Sequence, residues 1–156
     1  IQILTIDSEE SALQALLESS NRIVIAKINA KGIYDGLNKL MLYLGKQPKN
    51  YILNLLASYS NYLISTALVT NREGKIQPLL GIAEVNESLA AQLQQGNFQI
   101  IEEFIQKGNV GTNSISSDIQ LTTWYQKGQI TMNEASKFAI NPSRMKLRAD
   151  GIIHNE

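Results

Sequence analysis

Phosphate transfer needs backbone N–H groups wrapped round the phosphates, a lysine for their charge and a hydroxyl for magnesium, which gives the pattern GxxxxGK[ST]. Two Gly-Lys pairs occur in the chain and neither completes it, because Gln47 follows Gly45-Lys46 and Ile76 follows Gly74-Lys75. Both read as punctuation, the first as a helix end and the second as a hairpin turn. Acid–base catalysis needs carboxylates that face each other. Glu9-Glu10 and Glu102-Glu103 are sequence neighbours, and neighbours on a helix point apart. Glu9 and Glu10 are expected to favour a helix start through the macrodipole. Glu102, Glu103, Asp118, Lys107 and the run Lys146 to Arg148 are expected to be solvated charges. The single histidine, His154, stands close to the chain end, and there is no cysteine. A histidine cluster, a thiolate zinc site and thiol catalysis are thereby excluded, and a Ser-His-Asp triad would rest on a terminal residue prone to fraying. Trp124 and Tyr125 are the remaining chemically distinctive pair. Their spacing suits a core or partner-facing position better than a ligand-stacking one.

The elements that must position these residues fit a chain of 156 residues and 17.3 kDa, long enough for one sizeable core. Hydrophobic residues make up 44% and charged residues 18%, a globular balance rather than that of a disordered tail. Fourteen basic and fourteen acidic residues cancel, so no whole-molecule field gathers phosphate backbones, and nucleic acid is not expected as a partner. The absence of cysteine fits a reducing compartment, and a cytoplasmic location is expected. No apolar run approaches the ~20 residues that span a bilayer, so membrane insertion is not expected. The chain opens on Ile1 rather than Met, within what reads as a strand. A piece of a longer protein is the expectation.

Along the chain, Ile1, Ile3 and Leu4 form a short apolar run, and DSEE, with Asp7 three before Glu10, supplies a capping signal. Ala12, Leu13, Leu16 and Leu17 then share a helical face. RIVIAKI, from Arg22 to Ile28, reads as a buried strand, completing a β-α-β unit. Ile33, Leu37, Leu40, Met41 and Leu44 are helically spaced, with Gly45 suited to a C-terminal cap. Pro48 opens a helix carried by Ile52, Leu55, Leu56, Tyr59, Tyr62 and Leu63, running through Ile64. Two β-leaning stretches flank the turn formers Asn71 to Lys75 and predict a hairpin. From Asn86 onward small helices follow one another, broken at Gly96 and Gly108. The polar loop 108–114 is the candidate hinge.

The segment SDIQLTTWYQKGQITMNEASKFAINP resembles the C-terminal signature of the type II/type IV secretion ATPase superfamily, and within it the PilT-type pilus retraction motors. Those proteins carry an aromatic helix end, Lys-Gly, an Ile-Ser or Ile-Thr step, a Glu-Ala helix and Asn-Pro or Asp-Pro. Here the order is Tyr125, Lys127-Gly128, Ile130-Thr131, Glu134-Ala135 and Asn141-Pro142. LQQGNFQIIEEFIQKG, LLASYSNYLISTAL, NREGKIQPLLGIAEV and RIVIAKINAKG are similar to preceding parts of the family pattern, so the resemblance covers nearly the whole chain.

The resemblance implies an α/β fold: a partial RecA-like core, a short sheet with flanking helices, over residues 1–110, then a C-terminal bundle of small helices over 111–156. It implies ATP and Mg2+ as the family's cofactors. It also implies a hexameric ring at the cytoplasmic face of the inner membrane, with motor-type subunits or a pilus or secretion platform protein as partners. In this register the family's catalytic glutamate falls at Leu4, Asp7 takes the position of a nearby acid, and the conserved histidine falls on Asn29, with Ala30 where threonine is usual. The arginine expected before Gly96 is missing from LAAQLQQ. No catalytic, cofactor or metal residue is therefore expected in this chain, and Trp124 and Tyr125 are the candidate interaction residues. The leading expectation is a non-catalytic scaffold, a pseudo-ATPase. The alternatives are a fragment of an active hexameric ATPase powering pilus retraction or secretion, and an unrelated α/β adaptor domain.

Overall fold

The computed structural model describes residues 1–107 and 114–153. Two compact units divide the chain, Ile1–Leu63 with Glu84–Glu102, and Ile64–Ala83 with Glu103–Glu156. The sequence boundary at 110, the hinge residues 108–113 and His154 lie outside the described residues.

The first unit begins with β1 (Gln2–Ile6), α1 (Glu9–Glu18) and β2 (Val24–Ile28), and the two strands pair in parallel, with Ile3 beside Ile25 and Ile6 beside Ile28. This is the predicted β-α-β unit, built as parallel pairing requires, with a helix in the crossover. The cap of α1 differs from the expected one. Ser8 is the N-cap, its hydroxyl accepting from Ser11 N while the Ser11 hydroxyl accepts from Ser8 N. A serine can bond in both directions, so Ser11 takes the role assigned to Glu10.

Next come α2 (Ile33–Tyr43) and α3 (Lys49–Tyr59). Ile6, Ala12, Ala15, Leu16, Leu40, Leu44, Ile52 and Leu56 form one buried cluster, drawn from β1 and helices α1 to α3 with Leu44 at the end of α2. Gly36 lies where α2 crosses β2, and a Cβ there would meet Ile28 at 3.3 Å. After Glu84 the unit is completed by α4 (Glu87–Gln95) and the first residues of α5 (Phe98–Lys107). Asn86 caps α4, and Gly96 ends it at φ 73°, a left-handed conformation natural to glycine. Gly45, expected to close α2 in the same way, is not among the positive-φ residues.

The helix expected to run through Ile64 stops at Tyr59, and Tyr62 begins β3 (Tyr62–Thr70). YLISTALVT satisfies a helical spacing at its start and a strand alternation throughout. Pairing with β4 (Ile76–Glu84) selects the strand, which its β-branched and aromatic content also favours. The second unit contains most of this hairpin, closed at Asn71, whose side chain accepts from Glu73 N and Lys75 N, with Gly74 at φ 79°. Alternate residues turn inward. Val69 and Leu79 join Leu121, Ile130, Ala135 and Met145 in a buried cluster with α6 (Ser117–Gln126), α7 (Met132–Phe138) and α8 (Pro142–Ala149). Ser116, Thr131 and Asn141 cap these three helices, and Gly128 after α6 has φ 69°. Short helices of this kind owe their stability to caps and packing rather than length.

Candidate functional site

In parallel α/β sheets, ligands meet the carboxyl ends of the strands, and the register of β1 against β2 sets Asp7 beside Asn29 just past those ends. The expected positions Asp7, Asn29 and Ala30 therefore belong to one end of one small sheet, while Leu4 lies mid-strand, paired with Ala26. Leu4 is half-buried against the first unit's core. Asp7 is exposed, and its Oδ1 accepts from the Ser11 hydroxyl at 3.3 Å. Asn29 is exposed, and its backbone carbonyl accepts from Lys39 Nζ at 2.7 Å. Ala30 is half-buried close to Gly36.

The next loop leads to the N-terminus of α2, where free backbone N–H groups would ordinarily attract an anion. Gly32 supplies no side-chain cap there. The acceptor comes instead from within the unit: Glu102 is buried, and its Oε2 accepts from Tyr34 N at 3.0 Å. Lys31 N is likewise held by Asp35 Oδ2 at 3.0 Å. Glu102, read from sequence as solvated, is a tertiary cap, while Glu103 beside it is exposed. Among the described residues no group of three or more His, Cys, Asp or Glu side chains comes together to hold a metal.

Trp124 and Tyr125 belong to the second unit. Both are half-buried and pack on the cluster of Leu121, Ile130 and Met145. Trp124 also lines a shallow cleft of about 330 Å³ with Ser114, Ile115, Ser116, Ile119, Gln120 and Thr123.

Asp118 and Arg148, both expected at the surface, are buried in this unit, at 2% and 7% exposure. The Asp118 carboxylate accepts from Ile140 N at 2.9 Å through Oδ1 and from Asn141 N at 3.0 Å through Oδ2, tying α6 to the turn that starts α8. Burial lowers the pKa of the Arg148 guanidinium, Arg144 lowers it further, and the Asp118 charge opposes both. The role of Asp118 is not visible in local sequence, since its partners Ile140 and Asn141 lie more than twenty residues away. The Asn-Pro step after α7 is the nearest hint of a turn in need of an acceptor.

No family model and no curated protein matches the chain. Solved structures do. The pilus retraction motor PilT with bound ADP has a TM-score of 0.80 at 14% identity over 94% of this chain. The ATPase DotB of Yersinia pseudotuberculosis gives 0.70 at 11% over 92%, and DotB of Legionella pneumophila 0.68 at 10% over 88%. The chain has the fold of part of PilT and DotB. It spans 41% of the PilT chain and 37% of each DotB chain, so it corresponds to about two fifths of their length. The PilT and DotB likeness agrees with the expected α/β fold of small sheets and flanking helices, and sets aside an adaptor of unrelated fold. No helix among the described residues is long and apolar enough to cross a membrane.

Proposed function

We propose that this chain is a non-catalytic scaffold, a pseudo-ATPase portion of a PilT-like pilus or secretion motor, which by itself binds no nucleotide. The observation that carries this reading is the state of the expected positions on and beyond the first sheet. Leu4 packs into the core, Asn29 and Ala30 stand where a titrating side chain and a hydroxyl are expected, and the α2 N-terminus is already capped by Glu102. An apolar side chain cannot organise a metal-bound water, and asparagine does not titrate near neutrality. The reading places the chain in the cytoplasm, peripheral to the inner membrane, among motor-type subunits or against a platform protein. Titrating the purified chain with labelled ATP and Mg2+ tests it. No saturation is expected up to about 1 mM, and saturation in the micromolar range overturns it.

A second reading is favoured by the first sheet. A parallel sheet is normally covered on both faces, yet here it has two strands, and one face presents Ile1, Ile3, Ile23 and Ile25 at 88%, 74%, 68% and 53% exposure. In that reading the chain is a fragment of an active ring-forming ATPase, and further polypeptide supplies both the cover and the phosphate cradle. ATP hydrolysis by the complete parent protein, abolished by truncation to residues 1–156, would favour it over the scaffold.

A further inference from the structure

Aspartate followed by glycine is a step at which the main chain can rearrange unaided, because a glycine has no side chain to keep its N–H from the preceding carboxyl carbon. The step occurs twice in this sequence, at Asp35-Gly36 and at Asp150-Gly151, and Asn-Gly does not occur. Attack requires rotation about the aspartate Cα–C bond, out of helical backbone. The bonds that hold each step therefore decide how often it can react.

The first step is held on every side. It lies in the opening turn of α2, where Asp35 Oδ2 accepts from Lys31 N at 3.0 Å and Gly36 N donates to Gly32 O at 3.0 Å. Gly36 is buried, a Cβ there would meet Ile28 at 3.3 Å, and Ile33 and Leu37 beside it belong to the core. Freeing this step means unwinding α2. The second step closes α8. Asp150 is the C-cap and Gly151 follows at φ 73°, with Gly151 N donating to Arg148 O at 3.1 Å and Ile152 N to Leu147 O at 2.9 Å, the pair of bonds by which a left-handed glycine ends a helix. Both residues are exposed, a Cβ on Gly151 would meet nothing within 4 Å, and among the described residues no hydrogen bond or ion pair holds the Asp150 carboxylate. Only bonds at a helix end must open here, and helix ends open at far lower cost than helix interiors.

We propose that Asp150-Gly151 is a site of spontaneous isomerisation to isoaspartate, and that α2 protects Asp35-Gly36 from the same reaction. This inference does not depend on the reading of nucleotide binding, and it involves no group outside this chain except water. Gly151 N attacks Asp150 Cγ and a C–N bond forms, while one carboxyl oxygen leaves as water with the amide proton and one proton from solvent. Water then opens the cyclic imide. Cleavage between Cγ and Gly151 N returns aspartate. Cleavage between the Asp150 backbone carbonyl carbon and Gly151 N leaves isoaspartate, with the main chain now running through Cβ and Cγ. Either cleavage regenerates the Gly151 N–H and a carboxylate and gives one proton back to solvent. Isoaspartate lengthens the main chain by one carbon, which displaces Gly151 N from Arg148 O and Ile152 N from Leu147 O. The end of α8 is thereby loosened, close to Met145 in the core of the second unit.

The test is to incubate the folded chain for weeks near neutral pH and digest it with trypsin, which releases the two steps in the peptides 32–39 and 149–156. Aspartate and isoaspartate forms of a peptide have equal mass and separate by chromatography. Isoaspartate is expected to accumulate in 149–156 at least about tenfold faster than in 32–39. In concentrated urea, where neither helix survives, the two peptides should react at comparable rates. Asp150→Glu, whose longer side chain closes a larger and less favoured ring, should abolish the product in 149–156 and leave the circular dichroism unchanged, because the side chain is exposed. Equal rates in the folded chain, faster reaction at Asp35, no isoaspartate in either peptide, a product that persists in Asp150→Glu, or a difference of the same size in urea would each overturn the proposal.

Discussion

Replacing Asp118 by alanine tests how the second unit holds its helices together. The carboxylate is 2% exposed and accepts two backbone bonds, from Ile140 N and Asn141 N. Hydrogen bonds to a charged group contribute ~1.5–3 kcal/mol each. Two such bonds would suggest ~3–6 kcal/mol, but Ile140 is itself 36% exposed, so water can reach the released N–H groups and recover part of the loss. The expected destabilisation is therefore ~2–4 kcal/mol. Asp118→Asn keeps one acceptor and turns an NH₂ group toward the other N–H, so its expected cost is smaller, ~1–3 kcal/mol. For a chain of this size a change of 1 kcal/mol moves Tm by about 3 °C, which places Asp118→Ala about 6–12 °C below the parent. Urea unfolding followed by far-ultraviolet circular dichroism supplies the free energies, and a thermal scan the Tm. A loss below about 0.5 kcal/mol for Asp118→Ala, the usual range of a surface substitution, would show that the carboxylate is not what ties α6 to the start of α8.

Two further outcomes follow from capping and charge. Glu102→Ala should cost ~1–2 kcal/mol in urea unfolding, because it removes the acceptor of Tyr34 N at the start of α2, whereas Glu103→Ala, at an exposed position, should change stability by under about 0.5 kcal/mol. Glu9 accepts from Lys46 Nζ at 3.0 Å and from Gln47, and these hold its carboxyl below the ordinary glutamate pKa. A depressed folded pKa contributes stability that is present above the unfolded pKa and lost as pH falls through the folded one. Lys46→Met should therefore flatten the acid limb of a stability-versus-pH curve between pH about 5 and 3 while leaving the limb above neutrality unchanged.

Those parts of the fold fixed by short-range chemistry were legible in the chain. Ile33, Leu37 and Leu40 announced α2, Asn86 and Gly96 bracket α4, and Asn71 to Gly74 announced the hairpin turn, because each signal needs only residues within a few positions. The Tyr62–Ile64 segment was misread as helix because periods of 3.6 and 2 cannot be separated over three residues. Only the partner strand, beginning fourteen residues later at Ile76, distinguishes them. Glu102, Asp118 and Arg148 were misread for the complementary reason. Charged residues are usually solvated, and what buries these three is a set of distant groups, such as the Tyr34 N–H and the amides of Ile140 and Asn141, that no local window contains. At the candidate site the residue types Leu4, Asn29 and Ala30 were readable, but the carboxylate at the head of α2 was not.

The Glu102 carboxylate bears on the scaffold reading proposed above. A strand end that had merely lost its glutamate and histidine would still offer the N-terminus of the following helix to a phosphate, since backbone N–H groups survive any side-chain substitution. In this chain the N-terminus of α2 meets Glu102, an acceptor fixed by its own helix at no translational cost, and a free phosphate would have to displace it from Tyr34 N. On the scaffold reading proposed above, this contact is a second obstacle to nucleotide at this place, beside the residue types at Asn29 and Ala30. If the scaffold reading holds, the double substitution Leu4→Glu with Asn29→His is expected to leave labelled ATP unbound, because neither Gly45-Lys46 nor Gly74-Lys75 completes a phosphate cradle.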